Sequence, residues 1–153
     1  MTKIEQLVER FPIGLQAALR SSLDNVALWK YAGEESLRNG DMALAEEAVR
    51  VALKMSPSDP DLQSGLASIF VQTRRFSAAA AILETLQSRD NLSPKSTYML
   101  ARALYHDGKL EAAQREFKKA RDQWPDFTNE EVESLRHLLW PSCETKQAAA
   151  NTS

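Results

Sequence analysis

Three windows of the chain, beginning at Val26, Pro60 and Pro94, repeat one pattern of small and large residues at an interval of 34 positions. The eighth position reads Gly33, Ala67 and Ala101, and the twentieth reads Ala45, Ala79 and Ala113. The seventeenth carries Met42, Phe76 and Leu110, and the twenty-fourth carries Val49, Leu83 and Phe117. Four columns in one register mean that the chain repeats a single supersecondary unit. A unit of that length cannot bury its apolar face alone, so successive copies stack and share a core.

Each window predicts two helices joined by a tight turn. The chain is rich in alanine and leucine, both strong helix formers, and strand-type runs of Val, Ile and Thr are hard to find. Asp24 and Asn25 can cap the first helix of the first window, which runs to about Asn39. Gly40 and Gly108 stand at the turn between paired helices, where a residue free to take positive φ ends a helix at little cost. The second helices begin at about Met42, Phe76 and Leu110, and Pro57 and Pro125 close the first and third windows. Small residues in the eighth and twentieth columns let the two backbones approach, and the larger columns fill the space around them.

The ends of a stack need covering. Leu15, Ala18 and Leu19 lie 34 positions before Val49, Ala52 and Leu53, so residues 13–23 read as the second helix of a worn-down repeat. Thr2 and Glu5 have capping-box spacing and start a short helix through about Arg10; Thr128 and Glu131 have the same spacing before a helix with Val132, Leu135 and Leu139 on one stripe, stopped by Pro141. The expected organisation is N-terminal helices over 1–25, three repeats over 26–59, 60–93 and 94–127, a capping helix over 128–140 and a polar, disordered tail over 141–153.

The pattern resembles the tetratricopeptide repeat. The first window carries Trp29, Gly33, Gly40, Ala45, Ala52 and Pro57; the third carries Leu100, Ala101, Leu104, Gly108, Ala113, Phe117, Ala120 and Pro125. The second keeps Leu66, Ala67, Phe70, Phe76, Ala79 and Leu83 but departs at three places: Arg74 at the turn glycine, Leu86 at a small position and Asn91 at the closing proline. Ser36 stands where the family prefers a large apolar residue. The resemblance implies an all-α fold, a right-handed superhelical stack of antiparallel helix pairs with about three repeats and degenerate flanking helices.

Such proteins bind other polypeptides in a concave groove lined by their first helices. By that analogy the partner-binding residues here are Lys30, Tyr31, Glu34, Leu37, Ser64, Ser68, Val71, Lys95, Tyr98, Met99, Arg102 and Tyr105. Leu37, Val71 and Tyr105 share position twelve and form an apolar row, which suits an extended apolar peptide or an amphipathic helix. One subclass grips the C-terminal carboxylate of chaperones with Lys, Asn and Arg. Lys30 and Lys95 match two of its five places, but Glu34, Gly65 and Met99 replace the rest, and Glu34 would repel a carboxylate.

Catalysis and other ligands find little support. The two histidines, His106 and His137, lie far apart in sequence with no metal-ligand spacing, and the single Cys143 is in the tail. No glycine-rich phosphate loop or activated serine is present, and the carboxylates Glu34, Glu35, Glu46 and Glu47 fall on solvated helix faces. A basic cluster at Arg115, Lys118, Lys119 and Arg121 is interleaved with Glu111, Glu116 and Asp122, and the formal net charge is -2, so neither nucleic acid nor membrane insertion is expected. The sequence therefore reads as a non-enzymatic, cofactor-free, cytoplasmic interaction module: an adaptor, co-chaperone or assembly factor. The alternatives are a secretion-type chaperone shielding an exported subunit, a scaffold within an enzyme or nucleic-acid-binding protein, and self-association through an exposed terminal repeat.

Overall fold

The computed structural model describes residues 2–141, so the expected tail lies, apart from Pro141, outside the described residues. Within them the chain is all-α, with nine helices and no strand: α1 (Lys3–Val8), α2 (Ile13–Ser21), α3 (Val26–Arg38), α4 (Met42–Met55), α5 (Pro60–Gln72), α6 (Phe76–Ser88), α7 (Pro94–His106), α8 (Leu110–Gln123) and α9 (Glu130–Leu139). The chain divides into two compact units at Arg74/Arg75, the first holding α1 to α5 and the second α6 to α9.

Local chemistry sets the helix starts. Asn25, Asp41, Asp59 and Ser93 each accept a backbone N–H of the following first turn through a side-chain oxygen, and Pro60 and Pro94 occupy first helical positions where no N–H is needed. Thr2 and Glu5 form the expected reciprocal capping box. Helix α1 is shorter than its sequence pattern predicts. The amides of Arg10 and Phe11 bond to the carbonyls of Leu7 and Val8, three residues back, which tightens the chain out of α-geometry. At the other end the expected box on Thr128 and Glu131 does not start α9. Asn129 caps it by accepting the Val132 N–H at 2.9 Å, one residue later than anticipated, while the Thr128 hydroxyl lies against Glu133.

Helix ends repeat one motif. After α3, Gly40 N–H bonds Leu37 O and Asp41 N–H bonds Ser36 O; after α7, Gly108 N–H bonds Tyr105 O and Lys109 N–H bonds Leu104 O. Both glycines take the left-handed conformation this requires, with φ of 80° and 83°. Arg74, standing at the same turn after α5, takes φ of 63° without being glycine. Asp90 does so after α6 with φ of 55°, and its N–H and that of Asn91 bond Gln87 O and Leu86 O. Aspartate tolerates this region better than most residues.

In the first unit α3 packs on α4, and α4 on α5. Gly33, Ala45, Ala48 and Ala52 are buried along the first contact, and a Cβ built on Gly33 would stand only 3.0 Å from Val49 Cγ2. Trp29 is fully buried; its indole N–H donates to Leu23 O at 2.8 Å and its ring meets Phe11 edge-on at 6.0 Å, which ties the segment between α1 and α2 to the first full helix pair. Ser36, the polar oddity of the pattern, is buried but satisfied, its hydroxyl donating to Ala32 O at 2.9 Å.

In the second unit α7 packs on both α6 and α8, with α9 against α7 and α8. Ala101 and Ala113 are wholly buried, and Leu86, a large residue in a small column, is buried too. Phe117 meets Tyr98 edge-on at 5.1 Å and Trp140 at 5.3 Å, while Tyr98 stacks on Phe127 at 5.8 Å. The Gln114 side chain donates to Leu139 O at 2.8 Å, so rings and an amide together hold the C-terminal segment on the last helix pair.

Candidate partner-binding surface

Helix α3 separates its two faces cleanly. Trp29, Ala32, Gly33 and Ser36 form the packed stripe, while Lys30, Tyr31, Glu34 and Leu37 lie on the other side. Tyr31 is 48% exposed, Glu34 is exposed, and Lys30 and Leu37 are half-buried. A large ring left that open on a helix contributes little to folding.

Across from it in the same unit, α5 supplies Ser64 and Ser68, both half-buried, with Gln72 Nε2 donating to Ser68 Oγ at 3.3 Å. Lys30 Nζ reaches Asp61 Oδ2 at 3.3 Å, joining α3 to the first turn of α5. Asp61 was not among the residues anticipated from sequence. Its signal in the sequence is an aspartate at the second position of its repeat, 31 residues after a lysine at position five. Val71 is 8% exposed and so belongs to the packed interior of the chain.

Helix α7, in the second unit, carries the other anticipated residues. Lys95 and Arg102 are exposed and Met99 and Tyr105 half-buried, the Tyr105 ring lying edge-on to His106 at 5.1 Å, with His106 stacked on Phe76 at 4.5 Å. Tyr98 is 6% exposed and committed to Phe117 and Phe127. Burial pushes its phenol above the ordinary tyrosine range, with Arg121 pulling it back and Glu133 adding to the rise. Glu133 itself is held below the usual carboxylate range, chiefly by the hydrogen bond from Arg136 Nε at 3.0 Å.

Several other charged groups pair on the surface. Glu35 pairs with Arg38, Glu46 with Arg50 and Glu116 with Lys119, and Lys118 lies over the Trp140 ring at 5.6 Å. Among the described residues no three His, Cys, Asp or Glu side chains gather to hold a metal ion, and no helix is long and apolar enough to cross a membrane.

No curated protein sequence matches the chain. Residues 36–96 match the family model described as tetratricopeptide repeat. Among solved structures, the chain is similar to the first such repeat domain of Spaghetti (RPAP3) bound to the HSP90 peptide SRMEEVD, at 20% identity and a TM-score of 0.65 over 82% of this chain and 93% of that one. It is similar to the Sgt2 repeat domain from Aspergillus fumigatus at 16% identity and a TM-score of 0.67, over 84% of this chain and 82% of that one. A MamA RS-1 ArsTM double mutant gives 15% identity and a TM-score of 0.69, over 88% and 83% of the two chains. At these identities the likeness is one of fold. Paired helices in a 34-residue register, left-handed turns and a tetratricopeptide-repeat match over residues 36–96 give this chain a fold like that of the tetratricopeptide-repeat structures.

Proposed function

We propose that the chain is a protein–protein interaction module that holds an apolar or amphipathic segment of a partner protein against the first helices of its repeats. The observation that carries this reading is the side of α3 away from its packed stripe, where Tyr31 is 48% exposed and Leu37, six residues on, is half-buried. Such a face offers rigid aromatic and aliphatic area at small entropic cost, the usual anchor of a peptide interface. The solved relative Spaghetti (RPAP3) is bound to the HSP90 peptide SRMEEVD, which supports the use of this fold for peptides.

The chemistry here argues for a different peptide. Lys30, one of three cations among the anticipated groove residues, already faces Asp61 at 3.3 Å, and Glu34 adds a negative charge on the helix of Lys30. A carboxylate brought there meets repulsion that one paired lysine does not offset. In this reading an adaptor or assembly role follows from capture of apolar segments, and Lys30–Asp61 keeps α3 and α5 in register.

The test is selection from a displayed peptide library, followed by affinity measurement on the enriched peptides and on SRMEEVD. Apolar or amphipathic sequences should be enriched, Tyr31→Ala and Leu37→Glu should each weaken them by roughly tenfold or more, and SRMEEVD should bind negligibly. Tight SRMEEVD binding abolished by Lys30→Ala would overturn the proposed specificity. Enriched peptides indifferent to both α3 substitutions would overturn the proposed surface.

A further inference from the structure

A second surface lies on the other helix of the first pair. An open trough of about 690 Å³ runs between α1 and α4, within the first unit. Ile4, Leu7, Val51 and Met55 give it an apolar lining, with Ile4 and Val51 half-buried and Met55 37% exposed. Its sides carry four cations, Lys3, Arg10, Arg50 and Lys54, against one carboxylate, Glu47, a local balance of plus three in a chain whose net charge is -2. None of the twelve residues anticipated for partner binding contributes to it.

The cations are not equivalent. Arg10 bonds Glu47 at 2.6 Å, and Arg50 bonds Glu46 at 3.1 Å and lies over the Phe70 ring at 5.8 Å. Lys3 and Lys54 make no ion pair with any described residue, and both are exposed. Arg10, just past α1, and Glu47 on α4 stand at one end of the lining runs, Lys3 and Lys54 toward the other. The trough is therefore closed by an ion pair at one end and bears two unpaired positive charges along the rest.

From this arrangement we infer that the α1–α4 trough docks an acidic amphipathic helix of a partner protein. The lining positions of α4, from Glu47 to Met55, recur every three or four residues and form a straight stripe of about 12 Å at the α-helical rise. A third helix laid alongside presents its own ridge at the same spacing. Its apolar side chains at i, i+3, i+4 and i+7 meet Ile4, Leu7, Val51 and Met55, and flanking Asp or Glu meet Lys3 and Lys54. A membrane surface would meet the same charges, but a recessed apolar floor receives a protruding ridge and not a flat sheet of headgroups. The site goes beyond the function proposed above, because it uses α1 and α4 and not the open faces of α3, α5 and α7.

The full-length chain would be titrated, by fluorescence anisotropy, against a labelled synthetic helix bearing leucines at the i, i+3, i+4 and i+7 positions and glutamates on both flanks. Saturable binding is expected, weakened roughly tenfold by Lys3→Glu/Lys54→Glu and regained by that variant when the flanks of the peptide are changed to lysine. Tyr31→Ala should leave it unchanged, which separates this site from the α3 surface. Circular dichroism of the double variant checks folding, and both lysines are exposed enough for the reversal to be tolerated. No binding to wild type, equal binding of the glutamate- and lysine-flanked peptides, or binding of a control with serine in place of leucine would overturn the inference. So would association with phosphatidylserine-containing vesicles but not with the peptide.

Discussion

The pairs α3/α4 and α7/α8 occupy equivalent places in the repeat and distribute their bulk in opposite ways. The first has Trp29 at position four of its leading helix and Val49 at position twenty-four; the second has Thr97 and Phe117 at those positions, and all four are buried. The close-approach columns differ little, Gly33 and Ala45 against Ala101 and Ala113, because backbone proximity leaves no alternative to a small side chain. These two pairs thus keep the close-approach positions of the eighth and twentieth columns small and share the remaining volume between the two helices. The large ring of each pair also reaches outside the repeat. Trp29 meets Phe11 and the Leu23 carbonyl, and Phe117 meets Tyr98 and Trp140. Each flanking segment is anchored on whichever helix carries the ring.

If that account is right, truncating either ring should cost the most. Trp29→Ala and Phe117→Ala should each lower stability by ~3–5 kcal/mol in chemical denaturation, through lost burial and an unfilled cavity. Trp29→Ala should also increase hydrogen exchange in residues 3–21, and Phe117→Ala in residues 130–140. A uniform increase over the whole chain in both variants would break the comparison. Next comes the small column: Gly33→Leu should cost ~1–3 kcal/mol, since a Cβ alone already stands 3.0 Å from Val49 Cγ2. An unchanged thermal midpoint would show that the α3–α4 approach is not tight.

The smallest effect concerns pH and one pair only. The folded chain favours the neutral Tyr98 phenol, so the stability it contributes is complete below the ordinary value near 10 and is lost as pH rises through the higher folded value. The melting midpoint of wild type should therefore fall faster above about pH 10 than that of Tyr98→Phe, with the two curves parallel near neutrality. Parallel curves throughout would mean that Tyr98 is solvated and its contact with Phe127 loose.

Much of this was legible beforehand. The second helices begin at Met42, Phe76 and Leu110 as the period predicts, because a recurring apolar column marks a helix face directly. Gly40 and Gly108 announced their turns through their freedom to take positive φ, whereas Arg74 and Asp90 adopt the same geometry without that chemical signature. The start of α9 was misplaced by one residue because Thr128 and Asn129 are both competent caps, and only the path of the chain chooses between them. The anticipated surface was legible only as positions in a register. Tyr31 and Tyr98 were equally plausible contacts in sequence, yet one is open and the other is enclosed by aromatic rings.

The linear order of residues determined by itself the repeat length, the helix pairs, their small-residue contacts and the caps at Thr2 and Asn25. These depend on side chains a few positions apart or on one repeated spacing, and both are properties of a string. Tertiary structure alone decided that Tyr98 packs against Phe127, that Lys30 faces Asp61, and that Lys3 and Lys54 share a trough. Those relations join segments whose separations follow no period, so they come into being only when the chain has closed on itself.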